Sequence, residues 1–185
     1  MSLRLSLLQR VFPSPARLGM LDRLAQVTAQ GFGVPLPTWG ERSFHGRLAQ
    51  YAAFTACQTD ALLATGKAER IAAVRESLYE GAADLGRRTR RLLGVGTPEE
   101  AFAALTLLYR QIGIELSGGP TGAVMVSRCF FARYYSEPVC GLIDALDRGV
   151  VAGLYGGASL SFSERLTAGR PCCRALVRES VGARP

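Results

Sequence analysis

One histidine, His45, and one lysine, Lys67, stand in a chain of 185 residues. A nucleophile–histidine triad would have to use His45, and no acid or nucleophile is paired with it in sequence. Zinc sites usually combine close Cys-x-x-Cys pairs with histidines, and neither pattern is here. Also missing is the Gly-x-Ser-x-Gly nucleophile turn. The Gly-rich stretch "GGPTG" at 118–122 lacks the Lys-Ser/Thr of a phosphate loop and precedes a strand instead of a helix. No apolar run approaches the roughly 20 residues of a spanning helix. The leucines near the start are interrupted by Arg4, Gln9 and Arg10, which predicts no secretory leader. The expected compartment is a reducing cytoplasm with free thiols, since the five cysteines are odd in number and not spaced as a disulfide framework.

Hydrophobic residues make up 48% and charged residues 20%, a globular composition. The length suits one domain over 1–185. The net charge of +7 is carried almost entirely by arginine. Its one dense cluster, "RRTRR" at 87–91, fits a solvated helix end, where cations meet the negative end of the helix dipole. No aromatic interleaves with it as a single-strand stacking platform requires, so nucleic acid is not an expected partner.

The expected fold class is α+β: an N-terminal helical half packed on a small C-terminal β-α-β-β sheet unit. Residues 1–40 read as an irregular lead-in and a short helix from Leu18 to Gln30, with Pro13 and Pro15 forbidding a continuous helix. "GFGVPLPTWG" breaks that helix. Residues 41–117 read as helices. Phe44, Leu48, Tyr51, Ala52, Thr55 and Leu62 recur at helical spacing, as do Ile71, Val74, Leu78, Ala82 and Leu85. "TPEE" opens a third helix, with Thr97 as cap, Pro98 in the first turn and Glu100 completing a capping box. Residues 122–178 form the cysteine-bearing α/β part. "AVMVSRC" predicts a buried strand, Pro138 a helix start, and "ASLSFSERLT" and "CCRALVR" two strands of period two joined by "AGRP".

Cys129, Cys140 and Cys173 all fall at element ends, and ends gathered at one sheet edge are where a site would form. Cys140 lies in a predicted first helical turn, where the dipole lowers a thiol pKa. Asp144, four residues on, shares its face and is the expected proton carrier. Arg128 is expected to hold a substrate carboxylate, whose geometry its planar fork matches. Core filling is the alternative for each cysteine. Cys57, mid-helix among alanines, is expected to be packing only, and Tyr134 and Tyr135 rim or core aromatics.

"SRCFFARYY", "PVCGLIDA" and "ERLTAGRPCCRALV" together resemble the L-2-amino-thiazoline-4-carboxylic acid hydrolase-like family over about residues 122–178. By that pattern Arg128 and Cys129 match an Arg-Cys after a strand. Cys140 and Asp144 match a second Cys followed by Asp, and Leu166, Gly169 and Cys173 match a closing L-x-x-G-x-x-x-C. The sequence departs from the family where Asp144 stands four positions after Cys140 instead of three, and where Arg170 replaces an Asp after Gly169. The resemblance implies hydrolysis of a C–N or C–S bond in a small heterocyclic or amide-like substrate. In it, Cys129 or Cys140 either attacks or, with Cys173, holds a metal that activates water. The alternative is a non-catalytic small-molecule or metal-binding sensor on the same scaffold. The identity of any metal and the oligomeric state are left open.

Overall fold

The structure is a computed structural model that describes residues 14–179. Its elements are α1 (Ser14–Phe32), α2 (Phe44–Thr65), α3 (Ala68–Leu93), α4 (Pro98–Gln111), β1 (Ile114–Gly118), β2 (Gly122–Cys129), α5 (Glu137–Tyr155), β3 (Ser159–Glu164) and β4 (Cys173–Arg178). The class is α+β. Among the described residues no helix is long and apolar enough to cross a membrane.

Local chemistry accounts for most helix starts. Ser43, Thr97 and Ser136 cap α2, α4 and α5 by accepting from the amides of Gly46, Glu100 and Val139 at 3.0, 3.3 and 3.4 Å. Glu100 reaches back one residue beyond the cap, accepting from the Gly96 amide at 2.8 Å. Gly94 ends α3 in the left-handed conformation, φ +64°. The first helix departs from expectation: it begins at Ser14 and runs through Pro15. Pro15 lies in the first turn, where an amide has no intrahelical acceptor, so the ring removes no hydrogen bond. The expectation for Pro13 lies outside the described residues.

The sheet has four strands in the order β1-β2-β4-β3, antiparallel throughout. The expected β-α-β-β unit is therefore short by one strand. The helical reading of 41–117 covers β1, "IELSG", but there Ile114 and Leu116 turn inward while Glu115 and Ser117 turn outward as in a strand. Gly113 makes the turn from α4 into β1 at φ +74°, a conformation that favours glycine. The remaining strands alternate as expected, with Cys173, Ala175 and Val177 buried along β4.

Because the ladder is antiparallel, the C-terminal ends of β2 and β3 and the N-terminal end of β4 meet at one sheet end. Cys129 closes β2, Cys173 opens β4 opposite Val126, and the β3–β4 connection carries Arg165. Strand β4 separates β2 from β3, so α5 crosses over it to connect two parallel neighbours-but-one.

Helix α5 is clamped against α3. A Cβ on Gly149 would stand 2.2 Å from the Tyr79 carbonyl oxygen, and one on Gly153 2.1 Å from that of Ala83. Both partners advance along α3 as α5 advances, so the two helices run parallel with backbones in contact. Gly153→Val is expected to cost about 3 kcal/mol, at the upper end for overpacking, because backbone cannot yield as a side chain can. Gly141, also in α5, has nothing within 4 Å of its Cβ position. Gly141→Ala should therefore keep or raise stability by up to about 1 kcal/mol. Urea midpoints of the two variants check this pair, and equal midpoints would reject the clamp.

Candidate functional site

A cavity of about 550 Å³ lies between the helices and the sheet. Its walls are mostly apolar, with Met20, Leu24, Leu107, Leu108, Ile112 and Val150 among them. Polar groups enter from a few places: Tyr51, Tyr109, Tyr135, Cys129, Cys140, Asp144 and Asp147 from one side, and Arg23, Arg88 and Thr89 from another. An apolar cavity with a few convergent polar groups is the usual form of a small-molecule site.

Asp147 projects from α5 into this wall. It lies seven residues after Cys140 and three after Asp144, so all three share one helical stripe. The Tyr109 hydroxyl, from α4, donates to Asp147 Oδ1 at 2.5 Å. Burial raises the Asp147 carboxyl to about 6, against the opposing hydrogen bond from Tyr109; the nearby Asp144 charge pushes the same way as burial. Burial also carries the Tyr109 hydroxyl well above its ordinary value, and the negative Asp147 adds to it.

Asp144, expected to carry protons, does something else. Its side chain is 1% exposed and both oxygens are engaged by guanidinium groups. Arg75 pairs with Oδ1 at 3.4 Å, Arg148 with Oδ2 at 3.0 Å, and Arg165 donates to Oδ2 as well. Arg165 also donates to Cys140 Sγ at 3.8 Å and stacks over the Phe162 ring at 4.5 Å. The network ties the β3–β4 connection to α5 and α3, and gives Asp144 a positioning task.

The three thiols are brought to one end of the sheet but not equally into the cavity. Cys129 and Cys140 line it. Cys173 lies behind the wall, accepts from the Leu166 amide at 3.3 Å, and packs in the same buried cluster as Cys129. The expectation of a lowered Cys140 pKa is overturned. Burial pushes the thiol up, against the opposing Thr167 hydroxyl and Arg165 charge. The first-turn position brings little help because the Cys140 amide is already bonded to the Ser136 carbonyl at 2.9 Å. Burial likewise raises Cys173, and Cys129 to about 12. Among the described residues no three His, Cys, Asp or Glu side chains are arranged to hold a metal ion, so the trio Cys129, Cys140 and Cys173 is not gathered into a ligand set.

Arg128 faces away from the cavity. Its side chain is 77% exposed and pairs with Glu115 on the neighbouring strand at 3.4 Å. Cys57, expected in the packing, is exposed. Tyr135 stacks on Phe131 with ring centroids 5.5 Å apart and lines the cavity, while Tyr134 stacks on Phe130. Tyr51 is fixed from below. The Thr28 hydroxyl spends its one proton on the Leu24 carbonyl at 2.9 Å, so the Tyr51 hydroxyl must donate to Thr28, at 2.8 Å.

Asp147, Tyr109 and Arg165 were not singled out from sequence. For Asp147 a signal existed: a second acid, seven residues beyond Cys140, on the helical face that carries Asp144. Nothing local marks Tyr109 or Arg165, whose partners lie 38 and 21 residues away.

These burials reverse the expected order of thiol reactivity. Iodoacetamide at neutral pH should label Cys57 first and leave Cys129, Cys140 and Cys173 to react only on unfolding. Peptide mass mapping over time checks the order; early labelling of Cys140 would restore the activated thiolate.

In comparisons with known proteins no family model matches the chain, nor does any curated protein or solved structure.

Proposed function

We propose that the protein is a small-molecule hydrolase in which Asp147, rather than a cysteine thiolate, activates the attacking group. One observation carries the reading: a carboxyl raised to about 6 and hydrogen-bonded by Tyr109 in the wall of a largely apolar cavity. A general base works best when its pKa lies near the working pH. The Asp147 carboxylate takes a proton from water as the water oxygen bonds to the electrophilic carbon of an amide or heterocyclic C=N group. The C–N or C–S bond then breaks, and the leaving atom takes the proton back from Asp147. Tyr109 holds the carboxylate's orientation. Cys129 and Cys140 act as neutral, polarisable wall groups. The resemblance over 122–178 supports the same substrate class.

The upward shifts of all three thiols also favour a second reading, a binding module without turnover. Rates of hydrolysis across a panel of small amides and thiazolines distinguish the two. The hydrolase reading expects the rate to rise with pH along a single inflection near 6. Saturable binding with no turnover across the panel supports the binding module instead.

A further inference from the structure

A second concavity, about 660 Å³, opens on the surface between α1 and α3. It shares four lining residues with the inner cavity: Arg23, Leu85, Arg88 and Leu92. The two spaces therefore adjoin, and the shared residues form their threshold. The outer groove adds Arg91 and Asp84. Three guanidinium groups thus face one carboxylate. Asp84 is engaged by Arg87 at 2.9 Å and by Arg88 at 3.5 Å. Arg23 and Arg91 have no carboxylate within ion-pair distance among the described residues.

Charge runs the other way at the inner end. There the polar groups are Asp144, Asp147, the hydroxyls of Tyr51, Tyr109 and Tyr135 and two thiols. The cation beside them, Arg165, does not line the cavity and is already committed to Asp144 and Cys140. An anion placed there would meet the Asp147 carboxylate. An anion at the threshold meets arginines. Between the two ends the wall is leucine, isoleucine and valine. The polarity of the cavity is therefore directional: cationic mouth, apolar barrel, acid–base inner end.

We propose that the cavity takes an apolar acid, a ligand with one carboxylate held at Arg23 and Arg88 and an apolar body reaching inward to Asp147 and Tyr109. The inference rests on the proposed hydrolase for its last element alone, the hydrolysable group at the end of the body farthest from the carboxylate. The size agrees with a ligand of drug-like dimensions, which such cavities of roughly 300–1,000 Å³ accommodate. Arginine is suited to the head group because its planar fork matches a carboxylate and sheds water more easily than an ammonium does.

Calorimetric titration of the full-length protein with monomeric decanoate tests the binding. Decanol serves as the probe without charge, and acetate as the probe without a body. Decanoate should bind saturably, about tenfold or more tighter than decanol, with acetate undetectable. The Arg23→Ala/Arg88→Ala double variant should lose that tenfold preference and keep decanol affinity. Leu108→Trp, which fills the barrel, should weaken both. Equal affinity for acid and alcohol, a preference that survives the double variant, or no saturable decanoate binding would each overturn the proposal. Circular dichroism of each variant establishes that it is folded. Binding and turnover are read separately. If decanoate fails while hydrolysis inflects near pH 6, the ligand class falls and the hydrolase stands. If decanoate binds and no substrate turns over, the hydrolase falls and the ligand class stands.

Discussion

Asp144→Asn should lower the stability of the protein by about 3 kcal/mol. Breaking a buried ion pair costs roughly 3–5 kcal/mol because the partner is left charged and poorly solvated. Here three arginines lose a shared counter-ion at once. The low end of the range applies because Arg75 and Arg148 are 41% and 38% exposed and keep access to water. Arg165, 16% exposed, does not. For a chain of this length the corresponding fall in Tm is roughly 6–12 °C. Arg75→Gln removes one exposed partner and leaves Asp144 two others, so it should cost at most about 1 kcal/mol. Calorimetric Tm values for both variants check the asymmetry. If both lie within 0.5 kcal/mol or so of the wild type by the same conversion, Asp144 is not the tie between α5, α3 and the β3–β4 connection.

Asp147→Asn should have opposite effects on activity and stability. Loss of a general base typically lowers the rate about 10²–10⁴-fold, and the inflection near pH 6 should vanish with it. Stability follows from the raised carboxyl. The unfolded-state value is about 3.9 and the folded value about 6. Between the two the native state holds a proton that the unfolded state has released. Stability therefore falls as pH rises through this window and is fully present only below it. At one unit per 1.36 kcal/mol the loss amounts to about 2–3 kcal/mol. Asparagine escapes it and can still accept from Tyr109. The variant should match the wild type near pH 4 and exceed it by about 2 kcal/mol near pH 7.5. Urea midpoints at the two pH values measure the difference. A variant less stable than wild type at pH 7.5 would show that Asp147 is a structural anchor and not a poised base.

Helix boundaries were legible wherever one short stretch supplies both the cap and the pattern. Thr97-Pro98-Glu99-Glu100 contains its own hydrogen-bond partners. Pro138 marks the start of α5, whose cap, Ser136, appears only in the structure. The alternation of β4 and the grouping of cysteines at element ends were legible for the same reason: period and strand order constrain where a side chain can point. Strand β1 was missed because five residues following directly on a helix carry too short an alternation to break its pattern. Pro15 does not interrupt α1, because a proline ends a helix from within but opens one from its first turn.

What the sequence determined by itself, then, is local: the helical half, the capped start of α4, the start of α5 at Pro138, and the placement of Cys129, Cys140 and Cys173 near one sheet end. The states of those thiols were decided by tertiary structure, because desolvation depends on what covers a group and no local motif records it. Burial raised Cys140 where its helical position alone argued the reverse, and it left the mid-helix Cys57 in solvent. The contact of Tyr109 with Asp147 and the approach of Arg75 and Arg165 to Asp144 were likewise tertiary decisions, while Arg148 reaches Asp144 as an i,i+4 pair within α5. Arg75 reaches Asp144 because α5 lies against α3 at Gly149 and Gly153, whereas Tyr109 comes from α4 and Arg165 from the β3–β4 connection.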